Sequence, residues 1–149
     1  MSVLAAIRPD DWNLPLFLHI LGAFTLIGAL VVAASFLFAA RRGGDTVAMT
    51  RLGFRSLLIA ALPAFIVTRV TAQWLADKEG LADAELAWID VGYMATDVGL
   101  LVLLGATVAS GMAVRRAEGS RGATIAAWLV TLLVVVYFVV TWMMATKPA

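Results

Sequence analysis

Four long apolar runs dominate the sequence and limit what it can fold into. They cover residues 12–40, 54–76, 87–114 and 123–146. Each is at least as long as the roughly 20 helical residues that cross a hydrocarbon core. Their hydrophobicity is continuous rather than alternating, which argues against the strands of a membrane barrel, and helices satisfy their own backbone hydrogen bonds in lipid. We therefore predict an all-α membrane protein, in which residues 1–149 form one antiparallel bundle of four transmembrane helices.

The composition agrees with a membrane protein and narrows the classes of function. Hydrophobic residues make up 62% of the chain and charged residues 14%, whereas a soluble domain is about half apolar and a quarter charged. The net charge of +1 gives no indication of nucleic acid as a partner, and the lack of cysteine excludes disulfides and thiolate metal sites. No glycine-rich phosphate loop, catalytic triad or HExxH motif is present. The lipid bilayer is the expected partner, and enzymatic activity is left open.

The charged residues between the runs predict the direction of the helices. The two basic connections contain Arg41, Arg42, Arg51 and Arg55 in one case and Arg115, Arg116 and Arg121 in the other. The remaining connection, "DKEGLADAE", is mainly acidic. The positive-inside rule places both basic connections in the cytoplasm and both termini outside, and most of the tryptophans then fall at the outer ends of their helices. We expect a multi-pass protein of the bacterial cytoplasmic (inner) membrane.

Polar side chains interrupt the apolar runs at a similar depth, in the predicted outer half of the bilayer. They are His19, Arg69, Gln73, Asp90 and Asp97. An unpaired Arg or Asp at the centre of a membrane helix costs about 2.5–3.5 kcal/mol on insertion scales. We therefore expect Arg69 to pair with Asp97 and His19 to lie nearby, in a buried polar cluster. This cluster either stabilises the bundle or forms a functional site; snorkelling of Arg69 to the outer headgroups is a further alternative.

Several functions are compatible with such a cluster. One histidine without cysteine does not complete a zinc or copper site, so no metal site is predicted. His19 could be an axial ligand of haem b, with Met94 or the His19 of another copy as the second ligand. A proton or ion path could use His19, Asp97 and Asp90. A quinone-type pocket could use His19 and Arg69 as hydrogen-bond donors to carbonyl oxygens.

The third and fourth runs also carry packing signals. Small and apolar residues recur at four-three spacing along the third run: Gly92, Thr96, Gly99, Leu103, Ala106, Ser110 and Ala113. This face predicts close helix packing, either within the bundle or between the subunits of a homo-oligomer. The fourth run has no charge between residues 123 and 146, which favours a lipid-facing helix.

The first run resembles a known group of proteins. "LPLFLHILGAFTLIGALVVAASFLFAARR" is similar to the first helix of small four-helix bacterial integral membrane proteins of unknown function, through an "LHxLGA" core at Leu18, His19, Leu21, Gly22 and Ala23. It resembles more distantly the copper-resistance D membrane domain and the HemJ-type protoporphyrinogen oxidases. The resemblance implies a four-helix fold and a haem ligand at His19. A HemJ-like haem-dependent oxidoreductase and a small ion- or metal-transport subunit are the alternatives to a haem-binding protein without enzymatic activity.

Overall fold

The bundle consists of four long helices. The computed structural model describes residues 12–42, 45–80, 87–116 and 121–146. The helices are α1 (Asn13–Ala39), α2 (Thr46–Glu79), α3 (Ala87–Arg116) and α4 (Arg121–Thr146). All four are long and apolar enough to cross a membrane, and these described ranges contain no strand. The predicted all-α bundle of four membrane-spanning helices is confirmed.

Helix α2 differs most from its predicted bounds, which were residues 54–76. It begins at Thr46, because the side chain of Asp45 accepts a hydrogen bond of 2.9 Å from the backbone N–H of Ala48 and caps the first turn. It ends at Glu79, and the following residue, Gly80, caps it in a left-handed conformation with φ 67°. Arg51 and Arg55, in the first turns of α2, lower the local hydropathy without breaking the helix. The other three helices begin and end within two residues of the predicted positions.

A π-helical segment divides α2 into two parts. It covers Ser56–Ala61, and the N–H of Leu62 donates to the carbonyl of Leu57, five residues earlier. Pro63 follows two residues after the segment ends. Proline has no N–H and crowds the carbonyl of the preceding turn, so a wider turn accommodates it. The Ser56 hydroxyl also donates to the Ala29 carbonyl of α1 at 2.8 Å, which fixes the segment against α1.

The two parts of α2 have different neighbours. The part before the π segment packs on both α1 and α3, whereas the part after it packs on α1 and hardly touches α3. We call the half of the bundle that holds the start of α1, the end of α2, the start of α3 and the end of α4 the outer half, as the topology prediction has it. In this outer half, α2 and α3 are separated by a gap.

Helix α4 packs against α3 and α1 and supplies much of the core. Its buried face is formed by Ala123, Ala126, Ala127, Val130, Leu133 and Tyr137. The expectation of a lipid-facing α4 is therefore wrong for this face, because small residues let α3 approach closely. The predicted small-residue face of α3 lies at the same contact, with Leu103, Ala106 and Ser110 fully buried within the chain. A homo-oligomer stays a prediction, and it would need a face other than this one.

Candidate ligand site in the outer half of the bundle

A cavity of about 180 Å³ lies in the outer half, and all four helices contribute to its lining. His19 comes from α1, Arg69 from α2, Tyr93 from α3 and Tyr137 from α4. Most of the remaining lining residues are apolar or small, and Glu79 at the end of α2 is a further charged one. A pocket with an apolar wall and few polar groups is the usual form of a small-molecule site in proteins.

The α1–α2 contact positions His19. A Cβ atom on Gly22 would lie 2.7 Å from the hydroxyl oxygen of Thr68, so only glycine permits this separation of the two helices. One turn earlier on α1, Nδ1 of His19 lies 3.1 Å from the carbonyl oxygen of Thr68. A carbonyl oxygen only accepts, so Nδ1 carries the hydrogen and donates it. In the neutral imidazole, Nε2 then has a free lone pair.

Arg69 bridges the gap between α2 and α3. Its guanidinium carbon lies 4.9 Å from the centre of the Tyr93 ring, a cation–π contact between the two helices. Nη1 of Arg69 donates to Oε1 of Gln73 at 3.3 Å, and the Tyr93 hydroxyl donates to the same oxygen at 3.2 Å. The amide nitrogen of Gln73 donates in turn to Asp77 at 3.1 Å. Side chains thus connect the two helices where their backbones scarcely meet.

The acidic members of the predicted cluster lie at its edge. Nε of Arg69 is 4.0 Å from a carboxylate oxygen of Asp97, but the Asp97 side chain is 72% exposed and that of Arg69 33%. Asp90 is also exposed. Among the described residues, neither aspartate lines the cavity. Met94 is 62% exposed and does not line the cavity either. The structure therefore brings His19 and Arg69 to the cavity, with Gln73 in contact with Arg69, and leaves Asp90 and Asp97 toward the surface.

Tyr137 is the site residue that sequence reasoning missed. Its side chain is buried, with an exposed fraction of 8%. Among the described residues, its hydroxyl has no hydrogen-bond partner. The ring packs against Gly99, whose missing side chain leaves room for the hydroxyl. A tyrosine in the interior of a span, rather than in the interfacial belt where tyrosines concentrate, is the signal that could have identified it.

The other hydroxyl groups of the cavity already have partners. Thr68, Thr96 and Thr141 each donate to the carbonyl oxygen four residues earlier in their own helix. The lining also contains the charged residues Arg69 and Glu79. The hydroxyl oxygen of Tyr137 has almost no accessible surface, because it lies against Gly99. Burying the Tyr137 hydroxyl without a partner is unfavourable for the folded protein.

The cavity does not fit a haem enclosed by this chain. A space of about 180 Å³ matches a single six-membered ring, while a porphyrin carries four pyrrole rings around its iron. Met94, the proposed second ligand, lies outside the lining. Within the described residues, no group of three or more His, Cys, Asp or Glu side chains could hold a metal ion.

The fold and the cavity together define the class of protein: a bundle of four helices of membrane-spanning length and composition, with a candidate small-molecule site between them. The sequence matches no family model, and the searches of curated proteins and of solved structures found no match. The resemblances drawn from the first helix stay predictions. The function is therefore argued from the geometry of the cavity.

Proposed function

We propose that this chain is a multi-pass protein of the bacterial inner membrane, with both termini outside, that binds a small lipophilic molecule in the outer-half cavity. The observation that carries the proposal is the cavity of about 180 Å³ with a mainly apolar wall, which all four helices line. A bundle that only spans the membrane gains nothing from such a cavity, because the side chains around an empty space lose packing contacts.

The size of the cavity supports a ligand with one ring. An engineered protein cavity of about 150 Å³ is known to hold benzene. The volume of about 180 Å³ is therefore sufficient for a ring with one or two small substituents. The lining supports an apolar ring, since residues such as Leu26 and Phe65 lie in the wall.

The gap between α2 and α3 provides a route from the bilayer. After the π segment, α2 scarcely touches α3, so a lipophilic molecule can reach the cavity laterally. Arg69 crosses this gap through Tyr93 and Gln73, and these are side-chain contacts that rotamer changes can open. Access through the membrane suits a molecule that partitions into lipid.

Two other functions make different predictions. A haem b protein, or a HemJ-like oxidoreductase, would show a Soret band that depends on His19; since the cavity is too small for a porphyrin, we expect purified protein without one. A small ion- or metal-transport subunit would lose its flux in Asp97→Asn. The cavity does not favour a haem protein, because it is too small for a porphyrin. It does not favour a transport path through Asp97, because Asp97 lies outside its lining.

Binding of tritiated toluene to the protein in lipid nanodiscs tests the proposal. Protein-free nanodiscs of the same lipid correct for partitioning into the bilayer. Ala23 lines the cavity, so Ala23→Leu should fill part of it and abolish saturable binding. Gly28→Leu is the matched control on the same helix, because nothing lies within 4 Å of a Cβ at that position. Binding that is absent in the unmodified chain, or unchanged in Ala23→Leu, would refute a ligand site here.

A further inference from the structure

A second concave surface lies between α1 and α4, at the opposite end of the bundle from the cavity. It is an open groove of about 650 Å³. Helix α1 contributes lining residues from Val31 to Arg42, and α4 contributes Thr131 and Val134. We call it the α1–α4 groove. It shares no described lining residue with the outer-half cavity, so it is a separate site.

The wall of the α1–α4 groove needs no polar partner along its length. The Ser35 hydroxyl donates to the Val31 carbonyl of its own helix at 2.8 Å. The Thr131 hydroxyl donates in the same way to the Ala127 carbonyl at 2.8 Å. With both hydroxyls satisfied, the wall offers mainly alkyl and aromatic surface, which suits a hydrocarbon chain.

Positive charge lies at one end of the groove. Arg42 is exposed and lines this end. The guanidinium carbon of Arg41 lies 5.8 Å from the centre of the Phe38 ring, and Phe38 lines the groove as well. In the part of the chain that the structure describes, neither arginine has a carboxylate partner. Both guanidinium groups are therefore available to an anion.

An aromatic pair closes the floor of the groove at this basic end. The rings of Phe38 on α1 and Trp128 on α4 meet edge to face, with 5.5 Å between their centres. The Trp128 side chain is 59% exposed. Tryptophan concentrates at the level of the lipid headgroups, so this pair places the basic end of the groove near the membrane surface.

The length of the groove matches one leaflet of a bilayer. From Val31 to Ala39, helix α1 rises by about 12 Å at about 1.5 Å per residue. Half of a hydrocarbon core is about 15 Å thick. Arg42 follows in the turn after the helix, at the height where lipid phosphates begin. The groove thus combines an apolar wall one leaflet deep with cationic groups at its surface end.

We propose that the α1–α4 groove binds one anionic phospholipid, with an acyl chain along its wall and the phosphate at Arg42. Guanidinium groups form paired hydrogen bonds with phosphate oxygens, and Arg41 adds a second positive charge beside Phe38. Basic pockets between membrane helices are a known form of anionic lipid site. The proposal does not depend on the ligand of the outer-half cavity. With the basic connections in the cytoplasm, the bound lipid belongs to the cytoplasmic leaflet.

Native mass spectrometry of the full chain in neutral detergent micelles tests the proposal. Titration with dioleoylphosphatidylglycerol counts the bound lipids and gives the Kd of the first. Dioleoylphosphatidylethanolamine has the same acyl chains but a headgroup without net charge. We expect the first phosphatidylglycerol to bind at least about fivefold more tightly than the first phosphatidylethanolamine, because a basic residue near an anionic headgroup contributes a factor of about this size.

The contribution of the headgroup is measured with two arginine variants. Arg42→Gln should weaken the first phosphatidylglycerol about fivefold and leave phosphatidylethanolamine nearly unchanged. Arg116→Gln is the matched control, since Arg116 is exposed at the end of α3 and does not line the groove. It removes the same charge on the same side of the membrane, and the first Kd should stay within about twofold.

The contribution of the acyl chain is measured with two variants of exposed hydroxyl residues on α1. Ser35→Phe should fill part of the groove and weaken both lipids severalfold. Thr25→Phe is its control, because Thr25 is exposed, donates to its own helix at 2.8 Å and does not line the groove. Neither position is in the core, so both variants should fold.

Three results would overturn the lipid site. The first is an equal Kd for the two lipids, and the second is an equal loss in Arg42→Gln and Arg116→Gln, which would mean attraction to surface charge alone. The third is a Ser35→Phe protein that binds both lipids as the unmodified chain does. A dimer that carries no lipid would also refute it and would assign the groove to a second copy of the chain. Binding of toluene in the outer half is measured separately, so none of these results bears on the proposed function.

Discussion

The hydroxyl of Tyr137 on α4 lies directly against Gly99 on α3, in the space that a Cβ atom would fill. Gly99→Ala should therefore displace the Tyr137 ring or separate the two helices. We expect a loss of about 1–3 kcal/mol in the free energy of unfolding, typical of overpacking in a buried contact. Unfolding in mixed micelles, followed by circular dichroism, measures it. Gly28→Ala is the control, since its Cβ meets nothing within 4 Å, and it should be neutral or stabilising by up to about 1 kcal/mol. Equal losses in both variants would contradict the contact.

The two tyrosines of the chain should respond oppositely to the same substitution. Tyr137→Phe removes a buried hydroxyl that lacks a partner among the described residues, so the ligand-free protein should keep its stability or gain some. Tyr93→Phe removes a hydroxyl that donates to Gln73 at 3.2 Å and should cost about 0.5–1.5 kcal/mol. Unfolding of both variants without added ligand provides the comparison. A destabilised Tyr137→Phe protein would indicate that this hydroxyl has a structural partner.

Arg69 should contribute more to stability than Asp97. The carboxylate is 72% exposed and 4.0 Å from the arginine, so Asp97→Asn should leave the free energy of unfolding nearly unchanged. Arg69→Leu loses the hydrogen bond to Gln73 and the contact with the Tyr93 ring, and should cost more. In a double-mutant cycle the Arg69–Asp97 coupling should be about 0.6 kcal/mol, the average for polar pairs between membrane helices. A coupling of several kcal/mol would mean that another molecule buries the pair in the membrane.

Hydropathy is sufficient to predict the helices of this protein but not the interruption within α2. An apolar run of membrane length has no alternative to a helix, because lipid leaves backbone groups no other partner. Arg51 and Arg55 lie in the first turns of α2. Their charge lowers the hydropathy there, so hydropathy does not predict this part of the helix, which the Asp45 cap stabilises. The π turn depends both on Pro63 and on the hydrogen bond from Ser56 to Ala29. That hydrogen bond joins two helices, so hydropathy along the sequence does not predict it.

The candidate site could be predicted only where the membrane makes a residue costly. His19, Arg69 and Asp97 are prominent because polar groups in a span are rare and expensive. Tyr137 is not, since a tyrosine fits both a core and a lipid-facing surface. The sequence also does not give the rotation of each helix, and for this reason Met94 was expected at the site while Met144 lines it. The tautomer of His19 depends on the Thr68 carbonyl across the α1–α2 contact.

The direction of the helices is a prediction that the lack of cysteine makes simple to test. Lys78→Cys lies near the end of α2 and Arg116→Cys at the end of α3, both at exposed positions. With the basic connections in the cytoplasm, a membrane-impermeant maleimide should label Lys78→Cys in intact cells, and Arg116→Cys only after the membrane is permeabilised. The reverse pattern would place both termini in the cytoplasm and the cavity in the inner leaflet. Labelling of both variants in intact cells would mean that the chain inserts in two directions, despite the arginine bias of its connections.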